Sequence, residues 1–103
     1  MGQWVKVARQ GDIEPGRAVV VELNRKKIAV FFVNNAYYAV DDTCSHASGP
    51  LSEGEVNGLE VTCPWHGAKF NIQSGQALEE PACDNIQSYP LKMEGQDILL
   101  EIS

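Results

Sequence analysis

Apolar residues along this chain come in short runs separated by turn signals, and none repeats at the three- to four-residue interval that lays a stripe along a helix. Val5 and Val7 show the period of two of a half-buried strand. Ala18 to Leu23 and Lys27 to Val33 read as extended segments of one hairpin turning at Asn24-Arg25-Lys26, and Ala36 to Val40 follows a turn at Asn34-Asn35. These four segments are expected to form much of one sheet system. Toward the other end, Ile86 to Met93 and Asp97 to Ile102 flank a Glu94-Gly95 turn, with Ile98, Leu100 and Ile102 on one face. The pattern predicts an all-β fold in which the two ends complete one sandwich or barrel.

Between them, about residues 41–84, lies a stretch rich in Gly, Pro and Ser that contains every Cys and His. It is expected to be a small β subdomain inserted in the β-sandwich base, within a single domain spanning residues 1–103. Asn57-Gly58 signals a hairpin between Glu55-Val56 and Leu59 to Thr62, and Ser74-Gly75 a second turn after Ala68 to Ile72.

A chain of 103 residues that is 44% hydrophobic can bury one modest core. Its longest nearly unbroken apolar run, Ile28 to Val33, is far too short to cross a bilayer. The N-terminal residues lack a basic flank and an apolar stretch, and Lys6 stands where a myristoylation signal needs Ser or Thr, so a cytoplasmic location is expected. A net charge of −6 argues against nucleic acid and anionic membrane as partners and favours a basic protein surface.

The chemistry gathers in Cys44-Ser45-His46 and Cys63-Pro64-Trp65-His66, each offering one soft thiolate and one imidazole. Three cysteines cannot all pair, which puts metal binding ahead of a disulfide framework. A zinc finger groups its cysteines in one knuckle and its histidines in another, whereas here the two alternate, an order better suited to two metals. A structural zinc module remains the alternative on the residues alone.

Cys-x-His followed after sixteen residues by Cys-x-x-His resembles the Rieske pattern, and the likeness continues through Gly67, Phe70, Pro81-Ala82 and Tyr89-Pro90. The chain looks most like the small ferredoxins that serve bacterial aromatic-ring dioxygenases. That resemblance implies one [2Fe–2S] cluster held by Cys44, His46, Cys63 and His66, with the cysteines on a buried iron and the histidines on a solvent-facing one. It implies an electron carrier in aromatic hydrocarbon catabolism, passing single electrons from a flavin-dependent reductase to a terminal dioxygenase, with no small-molecule substrate of its own. A small Rieske subunit of a larger enzyme, such as a nitrite reductase, is the alternative within the family.

High-potential Rieske proteins add a disulfide between the ligand loops and place Ser and Tyr hydroxyls against sulfur. By the same resemblance, those positions here are Gly49 and Trp65, and Ala68 and Phe70. Hydrogen bonds to sulfur stabilise the reduced cluster, so their absence predicts a potential near the bottom of the Rieske range, around −150 mV.

Rieske oxygenases use a second iron bound by two histidines and a carboxylate, and this chain has two histidines, both assigned to the cluster. No catalytic residue is assigned. Cys83 reads as a small buried thiol near the cluster, and Trp65 as packing or shielding. Asp41-Asp42, Glu53, Glu55 and Glu79-Glu80 read as solvated turns or an acidic rim, and Arg25-Lys26-Lys27 as a hairpin tip.

Overall fold

The computed structural model describes residues 3–23, 25–42, 50–64, 67–79 and 85–102. In chain order these form β1 (Gln3–Arg9), β2 (Arg17–Leu23), β3 (Lys26–Val33), β4 (Ala36–Asp41), a 3-10 turn at Leu51–Glu53, β5 (Glu55–Asn57), β6 (Glu60–Thr62), β7 (Lys69–Asn71), β8 (Ala77–Glu79), β9 (Ser88–Tyr89), β10 (Leu91–Glu94) and β11 (Asp97–Ile102). All strand pairs are antiparallel, in three sheets ordered β1-β11-β10, β2-β3-β4-β9 and β5-β6-β7-β8. Among the described residues no helix is long and apolar enough to cross a membrane.

The middle sheet explains the unbroken run at Ile28 to Val33. A strand covered on one face alternates, but β3 is covered on both. Ile28 and Val30 face an apolar cluster shared with Ala39, Tyr89, Leu100 and the flanking Val7, Val19 and Leu91, which joins this sheet to β1-β11-β10. Ala29, Phe31 and Val33 face a second cluster, with Val40, Leu51, Val61, Cys63, Ala68, Phe70, Ile72 and Ile86, which joins it to the β5–β8 sheet. Phe31 and Phe70 are wholly buried, each contributing about 2–3 kcal/mol of transfer free energy. At the outer sheet Lys92 covers the half-exposed Trp4 ring at 4.4 Å, a contact of about 0.5–1 kcal/mol.

Three features differ from the sequence pattern. β1 does not join β2 to β4; it pairs with β11, and a bulge between Lys6 and Ala8 turns both Val7 and Ala8 toward the first core. The segment from Ile86 to Met93 is two strands. Pro90 has no N–H to continue a ladder, and its carbonyl accepts from Glu101, so the chain leaves the β4 sheet at Tyr89 and enters the β11 sheet at Leu91. Two tight turns also shift by a residue. Asn57 pairs with Glu60 and Glu94 with Asp97, so the turns are Gly58-Leu59 and Gly95-Gln96, each the two-residue loop favoured by strand twist; Lys26, expected in the first hairpin turn, instead opens β3 and pairs with Leu23. β8 carries too few residues to show a period and was not expected.

Candidate metal centre

Of the four residues expected to hold a metal, Cys63 lies among the described residues, whereas Cys44, His46 and His66 lie outside them, as do Gly49, Trp65, Pro81, Ala82 and Cys83. Among the described residues no three His, Cys, Asp or Glu side chains form a metal-binding group. The structure does define how the chain enters and leaves each of these segments.

Residues 43–49 leave from the end of β4 and return at Pro50. Asp42 closes that neck. Its carbonyl accepts from the Leu51 N–H at 2.6 Å, its Oδ1 from the Ser52 N–H at 2.7 Å, and its own N–H donates to the Lys27 carbonyl at 2.9 Å. The Asp42 side chain is thus buried and hydrogen-bonded, as a buried carboxylate must be. Asp41 binds the other way, through the Gln87 N–H at 3.1 Å and the Tyr89 hydroxyl at 2.6 Å. Burial, and then the Asp41 carboxylate it donates to, raise the Tyr89 phenol well above its ordinary value. Both aspartates are therefore structural anchors, which corrects the reading of Asp41-Asp42 as solvated turn or acidic rim. Asn- and Asp-type side chains habitually bond to nearby backbone, and that was the available signal; the Tyr89 contact, 48 residues away, left none.

The second loop opens where β6 and β7 part. The Cys63 N–H donates to the Ala68 carbonyl at 2.7 Å and the Gly67 N–H to the Cys63 carbonyl at 3.1 Å, closing a short loop over residues 64–67. Cys63 is 1% exposed, a member of the core it shares with Phe70, Leu51 and Ile86. Ala68 and Phe70 are buried beside it and bring a methyl and a phenyl ring, with no hydroxyl.

The stems are locked together by close backbone approaches. A Cβ on Gly54, just past the 3-10 turn, would run into the carbonyl oxygen of Thr62, the residue before Cys63. A Cβ on Gly75 would run into the carbonyl of Ile86, whose N–H in turn donates to the Gly75 carbonyl at 2.8 Å. Asn85 Oδ1 accepts from the Ala77 N–H, so the return from residues 80–84 is tied to β8. Residues close to the segments 43–49, 65–66 and 80–84, namely Val40 and Leu51, Cys63 and Ala68, and Ile86, thus belong to one apolar cluster.

Charge is uneven about this end. Residues 41–84 hold eight acidic side chains and one basic one, while the rest of the chain holds six and seven. A cavity of about 420 Å³ lined by Gln10, Asn35, Tyr37, Leu91 and Met93 lies at the Asn35 end of β4, away from Asp41 and Cys63.

A buried cysteine on the apolar core that also holds Leu51, at the stem of the other Cys/His segment, offers a soft sulfur that fits an iron–sulfur cluster better than a solvated ion. Comparison with known proteins agrees. The Rieske [2Fe-2S] domain matches residues 3–90. The ferredoxin component of a naphthalene 1,2-dioxygenase system from Pseudomonas aeruginosa is 33% identical over 101 residues, covering 98% of this chain and 97% of that protein. The ferredoxin component of biphenyl 2,3-dioxygenase from Rhodococcus jostii (strain RHA1) is 37% identical over 97 residues, covering 94% and 91%. Among solved structures, a complex of reduced oxygenase and oxidized ferredoxin in carbazole 1,9a-dioxygenase contains a chain matching with a TM-score of 0.89 at 30% identity, covering 94% of this chain and 91% of that one.

Proposed function

The chain belongs to the Rieske [2Fe–2S] domain family, and from that premise we propose that Cys44, His46, Cys63 and His66 hold its cluster in a shuttle that docks first on a flavin-dependent reductase and then on an oxygenase. The protein carries a Rieske-type [2Fe–2S] cluster and acts as an electron-transfer ferredoxin of a dioxygenase system, not as a catalytic subunit. Identity of 33–37% over nearly the whole length of ferredoxin components carries this reading, and it leaves the nitrite reductase subunit as the weaker alternative.

When bound, the cluster would supply a one-electron redox couple. The protein supplies the rest. Cys63 would offer its thiolate from inside the apolar core, and Cys44 would face it from the segment whose neck Asp42 closes. His46 and His66 would hold the outer iron and present their ring edges to the partner, the shortest route for an electron. Burial of Ala68 and Phe70 beside Cys63 supports a low potential, since neither side chain can donate to sulfur. The acidic excess of residues 41–84 supports a basic docking face on the partners, and the composition supports a cytoplasmic setting.

Redox titration combined with size exclusion tests the proposal. A free carrier titrates with one electron per chain and elutes as a small protein near its 11.3 kDa mass. Stability only within a larger assembly would overturn the shuttle in favour of a permanent subunit.

A further inference from the structure

We propose that Asp41 is a positioning residue for the cluster, its carboxylate fastening the stem of residues 43–49 to the segment returning from residues 80–84. The proposal rests on the reading of Cys44 and His46 as ligands. The β4–β9 ladder runs through Ala39↔Tyr89 and Val40↔Ser88. One step further, the Asp41 N–H still donates to the Gln87 carbonyl at 2.9 Å, but the Gln87 N–H goes to Asp41 Oδ2 at 3.1 Å, the bond the Asp41 carbonyl would take in a continuing ladder. The carboxylate therefore ends the ladder with β9 without leaving the Gln87 donor unpaired, while Asp41 stays paired with Ile28 on the β3 side.

Its second oxygen takes the Tyr89 hydroxyl at 2.6 Å, the length of a charge-assisted bond. The Tyr89 ring belongs to the base core with Ile28 and Leu100, so the hydroxyl ties the loop stem to that core. Asp42, next in the chain, closes the loop's two ends on each other through Leu51 and Ser52. Asp41 thus fixes where the loop stands and Asp42 fixes that it is closed. Cys44 follows three residues after Asp41 in the chain.

The test uses the holoprotein. Tyr89→Phe keeps the ring and removes the donor, Asp41→Ala removes both side-chain bonds, and the double variant closes a cycle. Cluster release into a chelator, followed by visible absorbance, is expected to accelerate about tenfold in Tyr89→Phe and further in Asp41→Ala, as loss of a charged hydrogen bond predicts. The double variant is expected to match Asp41→Ala. The g values of the reduced cluster are expected to shift in both single variants, and to stay at wild-type values in Ile98→Val, which trims a buried side chain of β11 away from the loop stems. Release within twofold of wild type in both single variants, or an Ile98→Val protein that loses its cluster as fast as Tyr89→Phe, would overturn the positioning role. A wild-type protein with no Rieske spectrum would overturn the ligand reading itself and the proposal with it.

Discussion

Cys63 and Ala68 close the second ligand loop on each other, the Cys63 N–H donating to the Ala68 carbonyl at 2.7 Å. Both side chains are buried in one core with Phe70. Ala68→Ser and Phe70→Tyr therefore introduce hydroxyls next to a thiolate, where a donated hydrogen bond favours the reduced cluster. Each is expected to raise the midpoint potential by roughly 40 mV, the one-electron equivalent of a net hydrogen bond of about 1 kcal/mol. Protein-film voltammetry of the two variants checks this, and unchanged or lowered midpoints would contradict it.

Gly54 sits where a Cβ would strike the Thr62 carbonyl, so Gly54→Ala must push the 3-10 turn away from the strand that leads into Cys63. The expected cost is about 1–3 kcal/mol of stability, as for other overpacked sites. Iron per chain in the purified variant should fall with it. Full iron content and an unchanged denaturation midpoint would show that the two stems need not touch.

Tyr89 ionises near 10 in an unfolded chain, whereas burial and Asp41 keep it protonated above that pH in the fold. The folded state therefore binds more protons above pH 10, and the stability conferred by the raised phenol is complete below that pH and is lost as pH rises beyond it. Denaturation of wild type and Tyr89→Phe should give a constant difference from pH 7 to about 9.5 that narrows by pH 11. A difference that held constant across pH 11 would place the Tyr89 phenol in an ordinary environment.

The acidic excess of residues 41–84 should steer a basic partner. Glu55 is exposed on β5. Glu55→Lys is expected to slow association with the proposed reductase a few-fold at low salt, with the difference gone by about 0.5 M salt as screening shortens. Equal rates at low salt would remove Glu55 from the docking face.

Much of this architecture was legible because strands announce themselves by period and turns by composition. The unbroken run Ile28 to Val33, read from the sequence only as a strand too short to cross a bilayer, carried the signal for the two-sided burial of β3, and the structure shows which sheets cover it. The partner of β1 was not legible, because nothing local to Val5 and Val7 says which edge they join across the length of the chain. Pro90 carried the signal for the break between β9 and β10, since a proline in a strand marks an edge or a crossing. At the site, ligand order and spacing pointed to the metal chemistry, and of the four expected ligands the described residues include Cys63, buried in the core. The habit of Asp side chains of bonding to backbone was the one signal for the anchoring roles of Asp41 and Asp42; their partners, from Ser52 to the distant Gln87 and Tyr89, were not legible because nothing local names them.

The central claim, that Cys44, His46, Cys63 and His66 hold a two-iron cluster with mixed ligands, is tested most directly by the electron paramagnetic resonance spectrum of the dithionite-reduced protein. The predicted result is a one-electron signal with the low average g value of a Rieske site, lost when Cys63 or His66 is replaced by Ala. A colourless protein that contains zinc and gives no signal on reduction would contradict it.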